Sequence, residues 1–166
     1  MSVSNENTLY TGAAQNPSGA QESVSASRKY LVFMINDGDH GYLKFGVDAE
    51  YVVEILNSYS ITYLPMMPHY VPGIINMRGQ IVPVMDMRLR LDKYASEKDL
   101  LLVLNYLGTQ IGVLVDAVDR IVDIADKQIS LVPSQENQRF VSGMCTIPDD
   151  GSTMMILDCE RLLSHD

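Results

Sequence analysis

Short apolar runs alternate with turns rich in glycine, proline and asparagine, and most runs are the length of a strand. Tyr30–Ile35 and Tyr42–Val47 flank Asn36-Asp37-Gly38-Asp39-His40-Gly41, which predicts a β-hairpin. Asp48 stands where it can cap a single helical turn before a further strand, Val52–Leu56. Pro65, Pro68 and Pro72 punctuate a loop that runs to Gly73. The stretch from Val71 to Leu91, VPGIINMRGQIVPVMDMRLRL, reads as strand, tight turn at Arg78-Gly79, strand, and a short helix capped by Asp86.

The second half repeats the plan. Leu100–Tyr106 and Gln110–Val115 flank Leu107-Gly108-Thr109, Ile121–Ile124 is a strand, and residues 125–139, with Pro133, are loop-like. Phe140–Ile147 and Thr153–Leu157 form a hairpin across Pro148-Asp149-Asp150-Gly151, and Asp158 caps a last helix, Cys159–Leu163. Gly46, Val47, Val52 and Ile55 return as Gly112, Val113, Val118 and Ile121, each shifted by 66 (46 to 112). Gly73 returns as Gly143, shifted by 70, and Gly79 and Asp86 return as Gly151 and Asp158, shifted by 72. A period this long excludes a solenoid. It fits two small β-barrels or sandwiches of about 65–70 residues each, which are marginal alone and gain by sharing an interior.

Composition narrows the function. At 166 residues the chain holds one domain or two small fused ones, and 46% hydrophobic residues suffice for a core. Residues 1–28, rich in Ser, Asn, Gln, Ala and Gly, are expected to be a disordered tail, with order beginning at Tyr30. The net charge of −9 opposes binding to nucleic acid and to anionic membranes. The apolar runs fall short of a membrane span, and the N-terminus lacks the pattern of a secretion signal. The two cysteines are read as reduced thiols of a cytoplasmic protein.

Catalytic and metal-binding patterns are missing. His40, His69 and His165 have no zinc-ligand spacing with each other or with Cys145 and Cys159. Asp37-Gly38-Asp39-His40-Gly41 begins like a calcium loop but continues with Gly41 and Tyr42, where a ligand and a turn glycine belong. No phosphate-binding glycine run and no G-x-S-x-G occurs. Cys145 and Cys159 read as small buried hydrophobes, and Asp86 and Asp158 as helix caps. Arg78, at a turn between apolar strands, reads either as a solvated turn residue or as an interface anchor. Its counterpart turn has no basic residue. Glu54, in an otherwise apolar strand, either faces water or pairs with an arginine from the facing unit.

The chain resembles the CheW family, the adaptor proteins of bacterial chemotaxis arrays. The resemblance rests on Gly46-Val47-Asp48 with Val52 and Glu54-Ile55, on Gly73-Ile74-Ile75-Asn76-Met77-Arg78-Gly79 and on Ile81-Val82-Pro83-Val84-Met85-Asp86-Met87-Arg88. Val113-Leu114-Val115-Asp116-Ala117-Val118, Phe140-Val141 with Gly143, and Ile156-Leu157-Asp158 extend it, so that it covers Tyr30 to Leu163. Met77 and Met87 stand where many relatives carry Leu, a volume-conserving change.

The resemblance implies an all-β fold of two SH3-like five-stranded barrels around a shared hydrophobic core, with short helices, over residues 29–166. It implies no enzymatic activity and no cofactor or metal. It implies a scaffold bridging the cytoplasmic tip of chemoreceptors and the regulatory domain of the histidine kinase CheA. Carried over by motif, the receptor-binding groove between the barrels would be lined by Val52, Glu54, Gly73, Asn76, Arg78, Leu100 and Leu101. The alternatives are a related adaptor in twitching or developmental signalling, and a small-molecule-binding β-barrel, which needs a polar-lined internal pocket. A fused adaptor of the CheV type is disfavoured, since no room remains for a receiver domain.

Overall fold

The computed structural model describes residues 26–97, 99–132 and 140–164. The expected tail up to residue 25, Pro133 with the rest of its loop to 139, and His165 lie outside them. Twelve strands form two six-stranded sheets. In chain order they are β1 (Ser27–Asn36), β2 (Tyr42–Asp48), β3 (Val52–Leu56), β4 (Thr62–Tyr63), β5 (Gly73–Met77) and β6 (Gln80–Asp86). After helix α1 (Met87–Arg90) come β7 (Leu100–Tyr106), β8 (Thr109–Val115), β9 (Ala117–Ala125), β10 (Ser130–Leu131), β11 (Val141–Thr146), β12 (Thr153–Leu157) and helix α2 (Cys159–Leu163).

One sheet has the order β3-β7-β8-β6-β5-β4 and the other β10-β11-β12-β2-β1-β9. Each is five strands plus a two-residue edge strand, an SH3-like subdomain. The first is continuous in sequence and is called the inner subdomain; the outer one combines β1 and β2 with β9 to β12. The sequence repeat and the subdomains therefore do not coincide. Each subdomain takes two strands from one half and four from the other. The chain crosses between the sheets at two links. A three-residue 3-10 turn, Ala49–Tyr51, joins β2 of the outer sheet to β3 of the inner one, and Asp116 alone joins β8 back to β9. The repeat then closes through parallel pairs, Ile156 with Gly46 and Val84 with Gly112.

Both faces of the first strand of each half are buried, so these strands read as unbroken apolar runs. In β1, Tyr30 and Val32 point into the outer subdomain while Leu31, Phe33 and Ile35 point between the subdomains. In β7, Leu101 and Val103 fill the inner subdomain, and Leu102 and Leu104 join the shared core. Phe33 stacks on Phe45 there, ring centroids 5.5 Å apart. The interior is thus three apolar clusters, one inside each subdomain and one between them.

Strand β1 begins at Ser27, earlier than expected from hydrophobicity, because Ser27, Arg28 and Lys29 pair through their backbones with Ala125, Ile124 and Asp123. The segment after residue 125 is also less irregular than its sequence suggests. It contains a 3-10 turn, Asp126–Gln128, and β10. The caps stand as read: the Asp48 carboxylate accepts from the Glu50 amide at 2.9 Å, Asp86 from Arg88 at 3.0 Å, and Asp158 from Arg161 at 3.1 Å.

Candidate functional site

The β5–β6 hairpin turns through two residues, Arg78 and Gly79, both with positive φ (53° and 85°). This left-handed pair matches the strand twist, and the Asn76 side chain supports it by accepting from the Gly79 amide at 3.0 Å. The conformation lifts Arg78 off the sheet, leaving its side chain 77% exposed. The inner sheet curls so that this tip reaches β3, where an Arg78 nitrogen lies 3.3 Å from Glu54 Oε2. Glu54 sits at a bulge: Val52 pairs with Leu104 and Glu54 with Val103, so β3 carries one extra residue. Beside the ion pair, Val53 and Ile55 are exposed apolar residues on a strand whose far edge has no partner in the sheet.

Of the seven residues named for a groove, the structure brings Glu54, Asn76 and Arg78 together at this tip. Val52 and Leu100 are half-buried and pack on the shared core. Leu101 is 0% exposed inside the inner subdomain, so it has no surface to offer a partner. Gly73 is buried because β4 crosses it. A Cβ there would lie 2.0 Å from the Thr62 carbonyl oxygen. Val53 and Ile55, which are not among the seven, are apolar groups on β3 that do face solvent.

The crevice between the subdomains lies one turn away. It measures about 220 Å³ and is lined by Arg28, Tyr30, Asp48, Tyr51, Tyr106 and Asp158, among others. Tyr51 and Tyr106 meet edge to face at 5.1 Å, and Arg28 approaches Asp48 at 3.6 Å. Burial, and then the Asp48 carboxylate, hold the Tyr51 hydroxyl above its usual range, so it stays a neutral hydrogen-bonding group. Tyr51, at the crevice, leads directly into β3, which carries Glu54.

At the opposite end of β1 and β7 a buried charge network ties the subdomains together. Arg88 is 1% exposed. It donates to both Asp86 oxygens at 2.9 Å, to Asp99 at 2.6 Å and to Asp116 at 3.1 Å. Asp116 also accepts from the Asn36 amide at 2.6 Å, which belongs to the outer subdomain. Burial alone would lower the guanidinium pKa, but the bonds to Asp86 and Asp99 outweigh it and hold the charge firmly. Nearby, Lys93 pairs with Asp37 and Arg90 lies over the rings of Tyr70 and Phe140, 3.9 and 4.7 Å from their centroids. The only local sign of Arg88 in the sequence is a charged residue between Met87 and Leu89, two places after a capping aspartate.

This arrangement offers shape and charge to a partner. Among the described residues no cluster of His, Cys, Asp and Glu could hold a metal. The insides of both subdomains are filled by apolar side chains. No helix of the described residues is long and apolar enough to cross a membrane.

Known proteins with the same features identify the family. A profile described as the CheW-like domain matches residues 29–166. The chain is 29% identical to a probable chemotaxis protein CheW of Rhizobium etli, over 82% of this chain and 95% of that one. It is 30% identical to the chemotaxis protein CheW of Rhizobium meliloti, over 77% of this chain and 83% of that one. The crystal structure of the scaffolding protein TtCheW from Thermoanaerobacter tengcongensis superposes with a TM-score of 0.70 at 28% identity, covering 80% of this chain and 89% of that one. The chain belongs to the CheW-like domain family.

Proposed function

We propose that the protein is a chemotaxis adaptor: a non-catalytic, cytoplasmic scaffold that couples the cytoplasmic tip of chemoreceptors to the histidine kinase CheA. Family membership supports the adaptor role. The observation that carries the receptor end is the Glu54–Arg78 pair, displayed at a rigid hairpin tip beside the exposed apolar pair Val53 and Ile55. Apolar contacts supply affinity, and an arginine with open hydrogen-bonding capacity sets register. Coupling then means holding receptor and kinase at a fixed mutual geometry. A movement of one shifts the population of the other only if the contacts differ between states.

The test separates folding from recognition. Arg78 is exposed, so its ion pair contributes at most about 1 kcal/mol to stability. Arg78→Ala is expected to melt within a few degrees of the wild type while losing capture of a soluble receptor signalling fragment by about tenfold or more. Unchanged capture would remove Arg78 from the site.

A further inference from the structure

The two subdomains carry the same ion pair with its charges exchanged. The repeat offsets place Arg120 at the position of Glu54 (54 to 120) and Asp150 at the position of Arg78 (78 to 150). The folded chain bears this out. The strand pairings match through the equivalent bulge, Val118 with Phe33 and Ile121 with Leu31 in the outer subdomain, Val52 with Leu104 and Ile55 with Leu102 in the inner. Arg120 bonds Asp150 at 2.7 Å, as Arg78 meets Glu54 at 3.3 Å.

The two tips differ in how much they leave open. Asp150 also accepts from Lys44 at 3.0 Å, from the Ser152 hydroxyl at 2.6 Å and from the Ser152 amide at 2.9 Å. These bonds, Ser152's first and then Lys44's, hold its carboxyl well below the usual range, so it stays charged. Lys44 has a neutral counterpart, Gln110 (44 to 110), and the exposed Val53 has a charged one, Asp119 (53 to 119). The inner tip is open, apolar-flanked and headed by a cation. The outer tip is headed by an anion whose carboxylate already accepts from Lys44, Arg120 and Ser152, and it is flanked by the charged Asp119 as well as by the exposed Ile121, the counterpart of Ile55.

We infer that Arg120 and Asp150 are specificity residues, which exclude the receptor segment from the outer tip and so give the adaptor a single receptor-binding polarity. The inference rests on the reading that the receptor engages the Glu54–Arg78 tip. A molecule built from two equivalent barrels offers two similar landing places. A segment that presents a carboxylate to Arg78 meets Asp150 on the other subdomain, and one that presents a cation to Glu54 meets Arg120. Discrimination between near-identical sites needs such a repulsive element as well as an attractive one. Like charges brought together at an interface cost enough to suppress a wrong mode of binding.

Two charge exchanges test this by calorimetric titration with a soluble chemoreceptor signalling fragment, each variant checked by thermal melting. E54R/R78E keeps an ion pair but reverses it. It is expected to melt near the wild-type temperature and bind at least tenfold more weakly. K44Q/R120E/D150R gives the outer tip the charges of the inner one, and the stoichiometry is expected to rise from one toward two. Should the triple variant unfold, the neutral R120Q/D150N is expected to admit a second, weaker copy. Wild-type affinity in E54R/R78E, or a stoichiometry fixed at one in the folded outer-tip variant, overturns the inference. A wild type that binds no fragment sinks the receptor reading beneath it instead.

Discussion

Replacing Arg88 by Met is expected to be the most damaging single change away from the surface. Met fills much of the same space, so packing changes little, but the guanidinium that pairs with Asp86, Asp99 and Asp116 disappears. Asp86 and Asp116 are 7% and 5% exposed at their side chains, and both would lose this buried counterion. Removing one partner of a buried pair costs about 3–5 kcal/mol, because the remaining charge stays desolvated. Against a total stability on the order of 5–15 kcal/mol this is about a fifth or more. It corresponds to a fall of about 12 °C in melting temperature. Urea unfolding at neutral pH, followed by circular dichroism, measures it. In the double variant R88M/D116N one stranded carboxylate is neutral, and about 1–2 kcal/mol should return. A loss below about 1 kcal/mol in R88M would refute the reasoning. It would mean that water reaches the network, or that the carboxylates take up protons at little cost.

Three further outcomes follow from the geometry. Leu101→Ala should cost about 2–5 kcal/mol in urea unfolding, with receptor capture by the folded fraction unchanged, since the side chain fills the inner core. Gly73→Ala should destabilise by about 2 kcal/mol, because the new methyl collides with the backbone of Thr62. The Cys159 thiol is pushed up to about 12 by burial, so near pH 9 the unfolded chain ionises there while the folded chain does not. The unfolded state then binds fewer protons, and stability should fall between pH 9 and 12 by about 1.4 kcal/mol per unit. Cys159→Ala should lessen the fall between pH 9 and 10, leaving the part that the buried Cys145 thiol, also raised by burial, contributes there, and a slope equal to the wild type's would assign it to other groups.

The elements were legible in the sequence because they are written locally. Strand length, turn chemistry and caps such as Asp86 and Asp158 depend on neighbours a few residues away. The start of β1 was hidden because Ser27 to Lys29 are held by backbone pairing, which side-chain polarity does not report. The repeat was visible as constant offsets, but an offset cannot say which copy a strand pairs with. That is settled at the links Ala49–Tyr51 and Asp116, where the chain crosses between the sheets. The family motif assigns Leu101 to a groove, and alternation could not correct it, because β7 is apolar on both faces. The link from Arg88 to Asp116 and the bond from Arg120 to Asp150 span 28 and 30 positions, so neither contact is written locally.

Nesting one subdomain inside the other also dictates how the chain must be assembled on the ribosome. Every strand of the inner unit lies between Val52 and Val115 and can close as soon as it emerges. The β1–β2 hairpin is made first, but Ala117 follows Asp48 by 69 residues (117 − 48), and the hairpin's other partners come later still. At about 5–20 residues per second that is a delay of several seconds. Throughout it, Phe33 and Val32 lie bare on opposite faces of a nascent ribbon. Translation speed and chaperone supply, not native stability, then set the yield of correctly folded adaptor.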